Sequence, residues 1–325
     1  MEMSENRLTK WGPILIFLAA MLWATDAPFR YHLTQGLHAS FIVLAEHLVN
    51  VLLILPFLVL GWREIRLLNW KQWLAILVIG IGASALASIL FTKTFVYVNP
   101  SVAIVLQKLQ PLIAISLAAG FLKEKLGRRF WLWAALALAG AYIISFPDLK
   151  PQLYYGEAWN PNTIGVLLAL GAAALWALGT VLGRYVLSHA PAPAESTYDR
   201  TYFPNAERTL AVSPRTLTAL RFLIAFLFLL MLNLRSETLQ TLGALTGKDI
   251  LFLVIVAVAS GFTSLMIYYK GLQHTRASVA TLAELGFPFL AVMVNAAALG
   301  LFLKPMQAFG MALLVVAVFG LSRIN

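Results

Sequence analysis

Long apolar runs separated by short polar breaks recur from residue 12 to residue 322, each close to the roughly 20 apolar residues that a membrane span requires. Reading them against turn signals predicts ten helical spans, near 12–31, 41–61, 73–96, 101–122, 130–146, 163–187, 214–234, 250–270, 277–300 and 305–322. The expected fold class is all-α, a polytopic membrane protein with ten transmembrane helices. The first run follows a charged start, as a secretory signal does. It is long for a signal and has a related copy mid-chain, so it reads as a retained span.

That copy reveals an internal repeat. GPILIFLAAMLWA at 12–24 matches GVLLALGAAALWA at 165–177, which sets Trp23 on Trp176 at an offset of 153. Farther on, TKTFVYVNPSVAIVLQKLQP aligns with YKGLQHTRASVATLAELGFP at an offset of 177, so Lys93 falls on Lys270 and Pro111 on Pro288. The offset grows because the second copy has a longer first loop. The expected division is a first five-helix repeat at 1–147, a loop at 148–162, and a second repeat at 163–325 with a polar loop at 188–213. An odd number of spans per copy makes the second half enter the membrane in the opposite sense, an inverted-topology repeat.

Charge gives the orientation. With the N-terminus inside, 15 Lys and Arg residues fall on the cytoplasmic side and five outside, Arg30 among the latter. Both termini are expected to be cytoplasmic, in the plasma (inner) membrane. Trp11, Trp62, Trp70, Trp73, Trp131 and Trp133 lie near predicted cytoplasmic span ends and read as interfacial anchors.

Composition narrows the function. The chain is 60% hydrophobic and 12% charged, with a net charge of +10, and a membrane protein's loop cations account for that surplus without nucleic acid. Cysteine is absent, which excludes disulfides, thiol catalysis and cysteine metal sites. No HExxH, P-loop or GxSxG pattern appears, so the chain reads as a non-enzyme without a cofactor or metal.

Ionisable residues inside spans are candidate functional groups because a mid-bilayer charge costs ~2.5–3.5 kcal/mol on insertion scales. Seven qualify: Asp26, Glu46, Lys93, Lys108, Arg221, Lys270 and Glu284. Lys93 and Lys270 lie near span ends and can snorkel to the headgroups. The same reading is open for Arg221, while Glu46 and His47 are about as shallow on the opposite side. Lys108 and Glu284 lie about two turns into equivalent helices, because Glu284 aligns with Gln107. Pro111 and Pro288 should break both helices there and free the carbonyls of Gln107 and Glu284.

Two readings of that pair stay open. Lys108 and Glu284 either pin the halves together as an ion pair, or line a central polar cavity. In the second, Lys108 attracts a carboxylate while Glu284 binds an amine or carries a proton. Trp23 and Trp176 sit near mid-span and either stack on a substrate or pack between the repeats. Gln107, Gln110 and Tyr97 are further wall candidates. Asp26, beside Thr25 and Pro28, is a candidate for ion coupling or gating.

The ordered set of features resembles the EamA branch of the drug/metabolite transporter superfamily. Each half opens with Leu-Trp (Leu22-Trp23, Leu175-Trp176), ends its third span with Lys93 or Lys270, and carries Pro111 or Pro288 in its fourth; LKEKL follows the first fourth span. The resemblance implies a ten-helix transporter of small metabolites, often moving amino acids outward by alternating access. The family commonly closes each fourth span with Gly-Glu. Here Glu124 follows Lys123, and Gly300 is followed by Leu301.

The function expected from the sequence is a secondary transporter exporting amino acids or related compounds. Its partners would be a small-molecule substrate, the lipid bilayer and a coupling proton, with room for a homodimer. The alternative is a membrane sensor or scaffold that binds a partner through the 188–213 loop.

Overall fold

The computed structural model describes residues 2–122, 127–150, 153–156, 158–188, 212–234, 242–243, 245–273, 283–284 and 286–324. Glu124, most of the 188–213 loop and the expected start of the ninth span lie outside them.

Almost every described residue is helical. Seven segments are long and apolar enough to cross a membrane: Trp11–Leu33, Ala39–Leu60, Trp70–Thr94, Pro100–Leu117, Pro161–Leu187, Pro214–Asn233 and Gly247–Gly271. Among the described residues, Arg128–Ser145 (α9), Phe287–Leu299 and Pro305–Gly320 are further apolar helices outside that set. The chain is thus an all-helical, polytopic membrane protein. In the 148–162 loop, Tyr154–Tyr155 (β1) pairs antiparallel with Ala158–Trp159 (β2) around Gly156, whose φ of +58° suits glycine.

Two helix interruptions fall beside the intramembrane charges, one unexpected at Thr25 and one where Pro111 was expected to break its helix. The first segment divides into α1 (Glu2–Ala24) and α2 (Asp26–Leu33) at Thr25, whose hydroxyl donates to the Leu22 carbonyl at 2.8 Å. Pro28 then lies in the first turn of α2, where its missing N–H costs no helical bond. The fourth segment divides into α7 (Pro100–Gln107) and α8 (Gln110–Leu122), with Lys108 as the cap between them. Before α14 (Gly286–Leu299), the carbonyl of Glu284 accepts from the Phe287 amide at 3.1 Å. That turn consumes an acceptor that the sequence expected Pro288 to leave open.

The third segment has an unexpected construction. It runs α5 (Trp70–Val78), a π-helix (Ile79–Leu86), then α6 (Ala87–Thr94). Its counterpart runs α12 (Gly247–Ile255), a π-helix (Val256–Thr263), then α13 (Ser264–Gln273). Both open with reciprocal capping boxes, Asn69 with Gln72 and Thr246 with Asp249. The capping boxes, the starts of all three elements and both ends of the π-helices obey the offset of 177 found in the sequence. Both π stretches consist mainly of small residues and lie where a neighbouring helix comes close. A Cβ on Gly80 would fall 2.6 Å from Ile224, and one on Gly261 would fall 2.8 Å from Asn50.

The packing relations are reciprocal. With α3 (Ala39–Leu60), α10 (Pro161–Ser188), α11 (Pro214–Asn233) and α15 (Pro305–Ile324) added, α1 packs on α13 as α10 packs on α6. Likewise α1 meets α14 while α10 meets α7 and α8, and α3 and α11 each cross the other's π-bearing segment. Pairing α3 with α11 and α9 with α15 completes the pattern. Buried alanines, among them Ala19, Ala20, Ala172 and Ala173, let α1 and α10 run through the centre. The outer face is apolar: Leu52, Val59, Leu60, Met293 and Phe302 are all exposed. Such a surface suits lipid rather than water. Trp11, Trp62, Trp70 and Trp131 also project outward.

Candidate functional site

A cavity of about 190 Å³ opens where the broken and π-bearing helices converge, ample for several waters or an organic ligand. Its wall holds three charged centres.

In the first, α2 and α3 bring Arg30 between two carboxylates. Arg30 Nε and Nη2 donate to Asp26 at 2.8 and 3.0 Å, and Nη1 and Nη2 donate to Glu46 at 3.0 and 3.1 Å. Arg30 Nη1 also donates to the Thr92 hydroxyl at 2.8 Å, so its guanidinium fork is filled. The i,i+4 spacing of Asp26 and Arg30 on α2 aligns one contact. The other joins two segments. Removing three such ions from water is tolerable only because their hydrogen bonds are complete. The Ser260 hydroxyl adds a bond to Asp26 at 2.9 Å and ties the cluster to the second π-helix.

The second centre joins two residues far apart in the chain, Lys108 and Glu284. Lys108 Nζ stands 3.7 Å from Glu284 Oε2 and 4.4 Å from the centre of the Phe287 ring. This is a looser ion pair than those of Arg30, with a cation–π contact on the open side. The Tyr268 hydroxyl hydrogen-bonds Glu284.

The third centre is Arg221 on α11. Its Nε donates to Ser84 Oγ and its Nη1 to Tyr269 Oη, each at 2.7 Å. Among the described residues it has no carboxylate partner.

Rings from both halves complete the wall, including Trp23, Trp176, Phe91, Phe222 and Tyr268. Trp23 donates its indole N–H to the Ser260 carbonyl at 3.0 Å, which also accepts from the Ser264 hydroxyl. That carbonyl lies within the second π-helix. Trp176 stacks edge-on against Phe91 at 5.1 Å.

The structure brings together Trp23, Asp26, Gln107, Lys108, Gln110, Trp176 and Glu284 around one cavity. Gln110 donates to Thr180 at 3.1 Å, while Gln107 Oε1 is buried without a partner among the described residues. Pro111 and Pro288 shape the breaks but do not line the space. Tyr97 does not line it either: it sits beyond α6, packed against Gly165. Lys93 and Lys270 are exposed on the outside, as snorkelling side chains are. Glu46 and His47, expected near the opposite side from Arg221, are buried inside the protein, with exposures of 6% and 3%. Arg30, counted with the outer loop from its place in the sequence, is 4% exposed. The signal available for it was its position four residues after Asp26 on one helical face. Among the described residues no group of three or more His, Asp or Glu side chains is placed to hold a metal.

Residues 10–146 and 201–323 match the EamA-like transporter family. The chain is 28% identical to "Riboflavin transporter ImpX" of Fusobacterium nucleatum, over 97% of this chain and 98% of that protein. It is 23% identical to "Uncharacterized transporter YwfM" of Bacillus subtilis, over 80% of this chain and 76% of the relative. One solved crystal structure aligns with a TM-score of 0.59 across 97% of both chains at 17% identity, a likeness of fold alone.

Proposed function

Because the chain belongs to the EamA-like transporter family, and is therefore a membrane transporter and not an enzyme, we propose that it is a secondary transporter carrying a flat heteroaromatic metabolite through the central cavity by alternating access. The observation that carries this reading is the wall itself: rings from both halves surround a space edged by three separate charged centres. Stacking surfaces with a few polar anchors suit a planar ring bearing hydrogen-bonding edges. The relative named as a riboflavin transporter makes riboflavin the leading candidate.

The architecture in this reading is ten spans in two inverted halves, supported by the offset of 177 shared by the capping boxes and π-helices and by the reciprocal packing. Both termini face the cytoplasm of the plasma (inner) membrane. Rocking of one half against the other would expose the cavity to each side in turn. Coupling protons would be taken up by the carboxylates of Asp26 or Glu284.

The test is accumulation of radiolabelled riboflavin in cells lacking their own riboflavin uptake, with and without this protein at verified membrane abundance. Accumulation above the control that excess unlabelled riboflavin abolishes supports the reading; equal accumulation in both cell types overturns riboflavin as the substrate.

A second reading, export of amino acids or related compounds, is favoured by the facing charges of Lys108 and Glu284 at 3.7 Å. That spacing could receive a carboxylate on one side and an ammonium group on the other. Metabolites released by expressing and control cells distinguish it.

A further inference from the structure

Arg221 and His47 hold complementary, unused hydrogen-bonding capacity. Among the described residues Arg221 donates only to two hydroxyl groups, Ser84 and Tyr269. Hydroxyls accept hydrogen bonds without neutralising the guanidinium, and among the described residues no hydrogen bond uses its Nη2.

His47, on the facing helix α3, is 3% exposed. Its Nδ1 lies 2.8 Å from the Val43 carbonyl oxygen, which accepts only from a protonated nitrogen. The other ring nitrogen of a neutral imidazole is then a bare acceptor. That atom, Nε2, is buried with no partner among the described residues. The His47 ring also packs edge-on against Phe222, the residue following Arg221, at 5.5 Å between centroids. Both side chains line the cavity. A cationic donor and a neutral acceptor therefore belong to the wall of the same cavity.

We propose that Arg221 and His47 form a subsite for an imide edge, in which a ring carbonyl accepts from Arg221 and the adjacent ring N–H donates to His47 Nε2. The two requirements select the class of group. A carboxylate would satisfy Arg221 but set a second acceptor against Nε2. An ammonium group would satisfy Nε2 but be repelled by Arg221. A cyclic imide, such as the pyrimidinedione ring of a flavin, presents acceptor and donor on neighbouring atoms. This inference rests on the heteroaromatic substrate proposed above and specifies which edge of it is read.

The experiment compares riboflavin with 3-methylriboflavin, in which a methyl group replaces the imide hydrogen. Binding of each to purified full-length protein is followed by flavin fluorescence. The expected result is at least about tenfold weaker binding of the methylated flavin, the effect of one buried bond lost and its acceptor left bare. His47→Phe should shrink that ratio towards one, and His47→Gln, which retains an acceptor oxygen, should keep much of it. Equal binding of both flavins by the wild-type protein overturns the subsite and leaves the flavin reading standing. Absence of riboflavin binding overturns both. A ratio undiminished in a folded His47→Phe variant assigns the N–H to another acceptor, such as Gln107 Oε1, and overturns the subsite.

Discussion

Gly140 and Gly310 meet backbone to backbone where α9 packs on α15. A Cβ built on Gly140 would fall 2.8 Å from the Gly310 carbonyl oxygen, and one built on Gly310 would fall 2.8 Å from that of Gly140. Neither obstacle is a flexible side chain, so relief requires moving a helix. Such overpacking costs about 1–3 kcal/mol. Gly140→Val and Gly310→Val should each lower the melting temperature of the detergent-solubilised protein. The double variant should fall short of the sum, because the first substitution already separates the helices. Unchanged melting would show that the pair tolerates a wider crossing.

Arg30 holds two buried carboxylates together. Arg30→Met would leave Asp26 and Glu46 as unpaired like charges, a loss on the order of 3–5 kcal/mol. Folded yield should drop sharply by size-exclusion chromatography. Glu46→Gln in the same chain should restore part of it by removing one negative charge. A double variant no better than Arg30→Met would deny that charge imbalance is the cause.

Lys108 faces the cavity from the break between α7 and α8. Lys108→Gln should reduce substrate flux at least about tenfold, the equivalent of about 1.4 kcal/mol, at unchanged membrane abundance. Exchanging the charges in Lys108→Glu/Glu284→Lys separates a substrate contact from a structural pin. Flux restored by the exchange would make the pair a pin; flux still lost would leave Lys108 as a contact.

Trp23 and Trp176 occupy matching places in the repeat but are anchored differently. Trp23 has its bond to Ser260 at 3.0 Å, whereas no hydrogen bond from the Trp176 side chain is seen among the described residues. Trp23→Phe should cost about 1 kcal/mol more stability than Trp176→Phe, read as the difference in melting temperature. Equal losses would mean that ring packing, not the indole bond, holds Trp23.

The seven membrane-length segments were legible because hydropathy over some twenty residues is a property of the chain, and the break at Lys108 because Pro111 removes a donor at a fixed position; the break at Thr25 was not read from the sequence. Lys108, Glu284, Trp23 and Asp26 stood out as polar or aromatic groups at depth. The π-helices left no comparable mark: IGIGASAL and VAVASGFT read as ordinary small, apolar helix. Each lies close against a residue distant in sequence, Ile224 or Asn50. Arg30 was obscured for a similar reason. Its place near a span end pointed outward, while Glu46 on the next segment draws its side chain in. Tyr97 illustrates the converse, a polar group near a site helix whose contacts lie on another side.

Each π stretch is a length of helix with slack in it. Returning one residue to α register would advance the rest of the segment by about 1.5 Å and turn it by about 100°. Ser84 lies in one stretch, and Ser260 and Gly261 in the other, all on the cavity wall. Taking up that slack would re-aim the wall while the capped ends at Asn69 and Thr246 stayed in place. Each of the two segments thus holds one residue's worth of unspent length at the cavity, and in the second Trp23 is bonded to it through the Ser260 carbonyl.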